Sequence, residues 1–307
     1  MPILRRIGAM LSELLAGAMP LVPRPIMRRI AGRYIAGETQ DEALAKLTEL
    51  AGKGYSGIFD ILGEGAGSEQ HARNAARDYE SGARAIAAAG LDAYISIKPT
   101  HMGLTPTDDS LALELYSHLA RVCAELGLFL RVEMEDHTTC DGTLRIFEQL
   151  RGRFDAVGIV LQSRLLRTPQ DIADLSPTQL DVRLVKGIYI EPEAIAHTQA
   201  AEISDAFVAA ARDLIARGGV RLCFATHDGA LGDRLIALVQ EHGLAPDTYE
   251  FQVLLGVQEP LWQRWRSAGH AVRVYVPFGP EWRSYSQRRL GKNPALFKAV
   301  LRNLLPL

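Results

Sequence analysis

Eight short β-type segments alternate with helix-type segments along most of the chain. Beyond residue 40 a helical pattern precedes the first β segment, and every later β segment is followed by a stretch long enough for a helix. Alternation of this kind indicates a parallel sheet, and eight units indicate a closed (β/α)8 barrel. The β segments are SGIFDIL, DAYISIK, LFLRVEME, AVGIVLQ, VRLVKG, VRLCFATH, YEFQVLLG and AVRVYVPF.

An open, doubly wound sheet is the structural alternative, because it is built from the same alternating units. Its usual sign is a G-x-G-x-x-G sequence directly after the first strand. The corresponding stretch here, GEGAGSEQ, has glycines at 63, 65 and 67 and lacks that spacing, and no suitable acid follows the next strand. The sequence therefore favours an α/β fold of the (β/α)8, TIM-like type. We expect a distorted barrel with an extra N-terminal helical segment.

The N-terminal segment differs from the rest of the chain. Its early arginines, apolar stretch and small residues superficially resemble a signal peptide. However, Glu13 interrupts the apolar run, and apolar residues such as Ile3 and Ile7 recur at helical spacing. We predict an amphipathic helix that packs on the body of the protein or contacts a bilayer surface. The predicted division is an N-terminal helical segment, 1–36, and a barrel, 37–307.

Composition limits the classes of partner and compartment. The formal net charge of -2 gives no reason to expect nucleic acid as a partner. The three cysteines, Cys123, Cys140 and Cys223, are odd in number and lack metal-ligand spacing. They indicate a reducing compartment and not a disulfide framework. We therefore expect a cytoplasmic protein without a membrane-spanning segment, with peripheral contact at the inner face of the cell membrane through the N-terminal helix.

Polar residues concentrate where the predicted strands end. In a (β/α)8 barrel, functional residues lie at the C-terminal ends of the strands and in the loops that follow them. The strands that lead to these positions are far less polar. The residues concerned are Glu64, Lys98, Glu133, Glu135, Asp136, His137, Gln162, Arg164, Lys186, Thr226, His227 and Tyr275. The sequence therefore predicts a functional site at this end of the barrel.

Individual residues at these positions leave more than one interpretation open. The stretch EMEDH resembles a metal site, but strand alternation only places Glu133 and Glu135 on the same side. No second group of histidines or carboxylates has ligand spacing, so we predict no metal. His227 is either a general base or a hydrogen-bonding residue that positions a ligand. Lys186 either pairs with an acid on a neighbouring strand or, together with Arg183, supplies positive charge to an anionic cofactor.

Two adjacent arginines follow the last β segment, in the stretch YVPFGPEWRSYSQRRL. Pro280 suits the first position of a helix. Tyr285 lies three residues before Arg288 and four before Arg289, so all three share one surface of that helix. Arginine holds a carboxylate in a fixed plane through paired hydrogen bonds. We therefore predict a clamp for a substrate carboxylate.

The motifs LGEG, IK at Lys98, RLVKGIY, FATHD, YEFQVLLG and YVPFGPEWRSYSQRRL occur in this order from about Gly37 to the end of the chain. Together they resemble the proline dehydrogenases, the flavoproteins of proline catabolism. The combination of Y-x-x-R-R-L with R-L-V-K-G is quite specific. The absence of an aldehyde dehydrogenase region or a DNA-binding arm resembles the short, monofunctional bacterial form. The family fold is a distorted (β/α)8 barrel, in agreement with the independent strand count.

The resemblance implies FAD-dependent oxidation of L-proline to Δ1-pyrroline-5-carboxylate, the first step of proline catabolism to glutamate. A hydride leaves the ring carbon next to nitrogen, and the electrons pass on to a membrane quinone. The residues leave two alternatives open. One is a (β/α)8 enzyme that acts on a phosphorylated substrate, and the other is a barrel that binds a carboxylate without redox activity.

The resemblance also implies roles for individual residues. The expected catalytic residues are Lys98, Tyr275, Arg288 and Arg289, with Lys98 and the two arginines on the substrate carboxylate. Leu254, Tyr275 and Tyr285 are expected to shape the pocket around the proline ring. The residues expected to line the flavin and its phosphates are Gln162, Arg183, Lys186, Gly187, Thr226 and His227.

Two acidic residues complete the expected substrate site. Glu64 occupies a position from which the family's glutamate pairs with the first arginine of the RR motif, here Arg288, and covers the substrate. Glu133 stands where the family usually has aspartate. Its extra methylene moves the carboxylate by about one C–C bond length, roughly 1.5 Å.

Overall fold

The computed structural model of the chain describes residues 32–176, 179–283 and 286. Within these residues, eight parallel strands close into one barrel in sequence order, with the first strand paired to the last. The predicted (β/α)8 fold is therefore confirmed. The strands are β1 (Ser56–Ile61), β2 (Ala93–Ile97), β3 (Leu130–Val132), β4 (Val157–Gln162), β5 (Leu180–Val185), β6 (Val220–Ala225), β7 (Tyr249–Leu254) and β8 (Val272–Phe278).

Helices cover the outside of the barrel. One helix, α1 (Gln40–Gly52), precedes β1, and each strand from β1 to β7 is followed by a helix. These helices are α2 (Glu69–Ala88), α3 (Ser110–Leu126), α4 (Cys140–Arg151), α5 (Thr168–Asp174), α6 (Ala200–Arg217), α7 (Gly229–Glu241) and α8 (Glu259–Ser267). Short 3-10 helices at Pro99–Met102 and His137–Thr139 follow the ends of β2 and β3.

The apolar core lies between the strands and the helices. Phe251 of β7 stacks on Trp265 of α8 with ring centroids 4.2 Å apart. Two strands further round the barrel, α2 approaches β1 closely at Gly82, where a Cβ atom would lie 2.4 Å from the Phe59 ring. The outward-facing residues of each strand therefore hold the helices in place, and the inward-facing residues are left for the lumen.

The lumen is polar at the end opposite the strand C termini. The buried carboxylate of Glu250 accepts a hydrogen bond from Arg221 Nη2 at 2.7 Å and another from Arg273 Nε at 2.9 Å. Arg131, which is fully buried, pairs with Asp181 across 2.5 Å. Ionised residues inside a barrel are stable only when such partners surround them. This network fills one end of the barrel and leaves the other end for a ligand.

The described chain joins the barrel before residue 37. Tyr34 and Ile35 are buried, and Ala36 N donates a hydrogen bond to Pro277 O of β8 at 2.9 Å. Most of the predicted N-terminal segment lies outside the described residues, and its boundary with the barrel stays a prediction. Among the helices that the structure describes, none has the length and apolar character needed to cross a bilayer.

Candidate active site

A cavity of about 550 Å³ lies at the C-terminal ends of the strands. Every described residue that is expected to contact substrate or cofactor borders this cavity, and each strand or the loop after it contributes at least one. These residues are Glu64, Lys98, Glu133, Gln162, Arg183, Lys186, Gly187, Thr226, His227, Leu254 and Tyr275. The strand-end residues Asp136, His137 and Arg164 are not among the residues that line it. The predicted Tyr285, Arg288 and Arg289 lie outside the described residues, so the carboxylate clamp stays a prediction.

Lys98 borders the cavity beside a buried carboxylate. It directly follows β2, and its Nζ atom lies 3.2 Å from Asp60 Oδ1 in β1. Burial lowers the pKa of Lys98, but Asp60 and Glu133 outweigh this effect and raise the pKa, so the side chain stays an ammonium ion. Burial raises the pKa of Asp60 to about 6, although Lys98 opposes the shift. Lys98 therefore presents a positive charge to the cavity, with the Asp60 carboxylate as its buried partner.

Glu133 accepts three hydrogen bonds on one oxygen atom. Ser96 Oγ and Arg183 Nη1 each lie 2.5 Å from its Oε1 atom. Tyr275 donates its phenolic proton to the same oxygen at 3.2 Å, and burial raises the pKa of Tyr275 well above its ordinary value. Burial opposes ionisation of Glu133, but Arg183 and the bond from Ser96 lower its pKa. Glu133 therefore orients Arg183 and Tyr275 at the cavity.

Glu135 is held by Thr100, which lies in the 3-10 helix after β2. Glu135 is 4% exposed. Its Oε2 atom accepts from Thr100 N at 2.8 Å, and its Oε1 atom accepts from Thr100 Oγ1 at 2.8 Å. Burial raises the pKa of Glu135 to about 7, and the two bonds from Thr100 act against this shift. The ends of β2 and β3 are therefore connected through one threonine and one carboxylate.

Gln162 and Gly187 form a section of the cavity wall that suits a bound group. Gln162 Nε2 donates to Glu135 O at 2.6 Å, whereas its Oε1 atom is buried and has no hydrogen-bond partner within the described residues. Gly187 has a φ of +91°, and a Cβ atom there would lie 2.6 Å from Gln162 Oε1. A buried carbonyl oxygen without a donor is unfavourable. This oxygen is therefore suited to accept a hydrogen bond from a ligand.

Lys186 pairs with an acid beyond the neighbouring strand, which is one of the two interpretations left open by the sequence. Its Nζ atom lies 2.7 Å from Asp228 Oδ2, and its side chain is 32% exposed. Arg183, by contrast, is 3% exposed and donates from Nε to Gln252 Oε1 at 2.6 Å. Both cations border the cavity, one deep in the barrel and one at its rim.

His227 has one ring nitrogen committed to the backbone. Its Nε2 atom accepts a hydrogen bond from Leu254 N of β7 at 2.8 Å. A ring nitrogen that accepts carries no proton, so the neutral ring carries its proton on Nδ1. This geometry favours the positioning role over the general base, because the Nε2 lone pair already holds the end of the adjacent strand.

The EMEDH stretch separates into two parts. Glu133 and Glu135 border the cavity, whereas His137 contacts Glu191 through its backbone N at 3.0 Å and its Nδ1 at 2.5 Å. In the part of the chain that the structure describes, no group of three or more His, Cys, Asp and Glu side chains could hold a metal ion.

Some residues that border the cavity were not predicted as site residues. Asp60 lies inside the otherwise apolar segment SGIFDIL, and Gln252 lies inside YEFQVLLG. An acid or amide in the middle of a buried strand indicates an inward-facing position with a partner or a ligand, because isolated buried polar groups are unfavourable. That observation was available from the sequence. The Lys98–Asp60 pairing itself depends on the register of the two strands.

The fold and the cavity define a (β/α)8-barrel protein whose mouth combines fixed cations with buried carboxylates. The family model for proline dehydrogenase matches residues 43–300. The chain is 34% identical over 290 residues to the proline dehydrogenase of Deinococcus radiodurans, covering 92% of each protein. It is 32% identical over 268 residues to proline dehydrogenase 2 of Bacillus subtilis, covering 87% of this chain and 88% of that protein. The chain belongs to the proline dehydrogenase family, which confirms the resemblance and makes the protein an oxidoreductase.

Solved structures support the fold. Proline utilization A from Bdellovibrio bacteriovorus, inactivated by N-propargylglycine, superposes with a TM-score of 0.81 at 23% identity over 90% of this chain. A variant of proline utilization A from Bradyrhizobium japonicum gives a TM-score of 0.72 at 24% identity over 87% of this chain. The chain spans 34% and 31% of those longer proteins. The similarity is therefore to one part of each.

Proposed function

We propose that this protein oxidises L-proline to Δ1-pyrroline-5-carboxylate with FAD as cofactor, as the first step from proline to glutamate. The observation that carries the proposal is that every described residue expected from the family lines one cavity, in a chain that belongs to that family. The two alternatives, a phosphorylated substrate and a barrel without redox activity, lose support from this membership.

Gln162 supports the assignment of FAD to this cavity, because its buried Oε1 atom lacks a donor within the described residues and is suited to accept a hydrogen bond from the cofactor. The residues that would hold FAD are Gln162, Arg183, Lys186, Gly187, Thr226 and His227. Bound there, FAD supplies the acceptor for a hydride from the substrate. Arg183, oriented by Glu133, would supply positive charge to the bound flavin and would thereby stabilise the negative charge that develops during hydride transfer.

The substrate carboxylate is the second group that the site must hold. Lys98 provides a charged ammonium group at the cavity, and we propose that Arg288 and Arg289 complete the binding of the carboxylate. Leu254, Tyr275 and Tyr285 would enclose the ring. Because charge-assisted hydrogen bonds are directional, these residues fix which ring carbon faces the hydride acceptor.

Glu64 is proposed to close the site. It borders the cavity in the loop after β1, and its proposed partner is Arg288. An exposed ion pair of this kind contributes only about 0–1 kcal/mol to stability. Its effect would lie in excluding water from the bound substrate.

Deleting residues 1–20 is expected to lower activity with a membrane quinone more than activity with a dye in solution. The reason is that an apolar helix stripe would bring the barrel mouth to the bilayer that holds the quinone. Rates with both acceptors are to be measured on the deleted and full-length proteins. Equal losses with the two acceptors would show that the segment only packs on the barrel.

Replacing Lys186 with methionine is expected to lower the fraction of protein that retains flavin. The change removes a cation at the rim of the proposed FAD site and leaves the barrel interior intact. Lys46→Met is a matched control, because Lys46 is 33% exposed and also pairs with an acid, on α1. Flavin absorbance per protein, measured after gel filtration, should fall only for Lys186→Met. An unchanged flavin content would leave Lys186 as a structural partner of Asp228.

The proposed activity is tested with L-proline, a dye as electron acceptor, and an aromatic amino-aldehyde that traps the pyrroline product. We expect equal amounts of trapped product and reduced dye. Pyrrolidine, which keeps the ring but lacks the carboxylate, should react far more slowly. Absence of product with L-proline would overturn the proposal, and equal rates with pyrrolidine would contradict carboxylate recognition.

A further inference from the structure

The loop that carries Glu64 is attached to the end of β2 at two points. This segment, residues 63–67, is called the Glu64 loop below. Gly65 N donates a hydrogen bond to Thr100 Oγ1 at 2.9 Å, and Ala66 N donates to Thr100 O at 2.8 Å. One threonine therefore accepts both bonds, one on its side chain and one on its backbone.

Glu135 determines which way the Thr100 hydroxyl points. A hydroxyl group has one proton to donate and two lone pairs that accept. The proton of Thr100 Oγ1 goes to Glu135 Oε1 at 2.8 Å, so the lone pairs are left for Gly65 N. The same carboxylate also accepts from Thr100 N. Glu135 thus fixes both the side chain and the backbone of Thr100.

The Glu64 loop has little stiffness of its own. Gly65 has a φ of +64°, a backbone conformation that favours glycine. A Cβ atom on Gly65 or on Gly67 would meet nothing within 4 Å, whereas one on Gly63 would lie 2.3 Å from the His101 ring, and the partly buried Ala66 packs against the core. The bonds to Thr100 hold the loop at Gly65 and Ala66, directly after Glu64.

We infer that Thr100 is a positioning residue that, held by Glu135, fixes the Glu64 loop over the cavity and thereby sets the affinity for the substrate. The inference rests on the proposed function, in which Glu64 closes over bound proline. Thr100 acts through the loop, because it does not itself border the cavity.

The test compares two variants of Thr100 with a matched control in the flavin-loaded enzyme. Thr100→Val removes the hydroxyl and keeps the shape of the side chain, whereas Thr100→Ser keeps the hydroxyl. Thr143→Val removes a buried hydroxyl that bonds Thr139 O within the helical region of α4, away from the cavity. Two quantities are measured: hydrogen–deuterium exchange of residues 63–67, and the KM and kcat for L-proline.

In Thr100→Val we expect the backbone amides of residues 63–67 to exchange faster with deuterium. We also expect KM for L-proline to rise by about threefold to tenfold, the effect of one hydrogen bond. The value of kcat should stay within about twofold, because the lost interaction concerns binding. Thr100→Ser should restore both measurements, and Thr143→Val should leave them unchanged. Unchanged exchange in Thr100→Val, an unchanged KM, or failure of Thr100→Ser to restore them would overturn the inference.

Glu135→Gln adds a second line of evidence, because an amide offers one acceptor oxygen in place of two. Amide exchange in the Glu64 loop should be faster in the single variant Glu135→Gln than in the wild type. The same change should add little in the Thr100→Val background, since both act on one chain of hydrogen bonds. Independent, additive effects would contradict the role of Glu135. If wild-type protein does not oxidise proline, the proposed function fails, and loop exchange still decides whether Thr100 holds the loop.

Discussion

Replacing Lys98 with methionine is expected to lower kcat/KM for L-proline by about a hundredfold, the effect of losing one charge-assisted hydrogen bond in a closed site. Lys98 is kept as an ammonium ion by the carboxylates around it, and it is 12% exposed beside Asp60. Methionine has a similar length without the charge, so the shape of the cavity is retained. Steady-state kinetics on the flavin-loaded variant give the measurement.

The Asp60 carboxylate provides the control for this prediction. Removing one partner of a buried ion pair leaves the other charge without compensation, so part of the loss could reflect a disturbed fold. The double variant Asp60→Asn with Lys98→Met removes both charges. Its kcat/KM should be no better than that of Lys98→Met alone, while its melting temperature returns towards that of the wild type. Wild-type kcat/KM in Lys98→Met would exclude a role for Lys98 in binding the substrate.

Replacing Glu250 with glutamine is expected to lower the free energy of unfolding by about 3–5 kcal/mol, the effect of breaking a buried ion pair. Glu250 is 2% exposed, and its carboxylate forms ion pairs with Arg221 and Arg273. Arg221 and Arg273 would lose the buried anion that they share and keep only their second partners, Asp181 and Asp92. Denaturant unfolding measures the change, and Glu241→Gln, at the exposed end of α7, is the matched control. A loss below about 1 kcal/mol, as for a surface ion pair, would contradict the importance of the network.

The same variant should change the response of stability to acid. Burial raises the pKa of Glu250, but Arg273 and Arg221 outweigh it and lower the pKa from 4.5 to about 2. A carboxyl group with a lowered pKa in the folded state stabilises the fold above its unfolded pKa, and this contribution is lost as the pH falls through the folded pKa. The difference between wild type and Glu250→Gln should therefore shrink as the pH falls from about 5 to about 2.

The barrel could be predicted from the sequence because its β segments and intervening helices are regular. The third strand was predicted too long: LFLRVEME suggested eight residues, whereas β3 covers Leu130–Val132. After Val132 the side chain of Glu133 accepts hydrogen bonds from Ser96, Arg183 and Tyr275. Asp136 then caps a 3-10 helix. The β-type composition extends beyond the point where the neighbouring strands can pair.

The polar lumen was only partly predictable. Three strands each carry two polar residues at alternate positions: Asp181 and Arg183 in β5, Glu250 and Gln252 in β7, and Arg273 and Tyr275 in β8. This alternation indicates that one face of these strands is polar. In a closed barrel that face is the lumen. Which acid meets which base depends on the strand register: Arg273 of β8 lies opposite Gln252 of β7 and forms its ion pair with Glu250. No local sequence pattern specifies that register.

The sequence predicts which residues lie at the C-terminal ends of the strands, but not which of them are in contact. Lys98, Lys186 and His227 are predicted to lie at one end of the barrel, because the C-terminal ends of all the parallel strands lie there. The contact of His227 with the backbone of Leu254 joins residues 27 positions apart. Contacts of this kind, like the two hydrogen bonds that the Glu64 loop donates to Thr100, require the three-dimensional arrangement.

The central claim is that the cavity holds FAD and that L-proline reduces it. The most direct measurement is the visible absorption spectrum of the flavin-loaded protein under anaerobic conditions, recorded before and after L-proline is added without any other electron acceptor. We predict a yellow protein whose flavin absorption is bleached by L-proline and restored when an electron acceptor is admitted. A folded protein that stays colourless after incubation with excess FAD, or a flavin spectrum that L-proline leaves unchanged, would contradict the account.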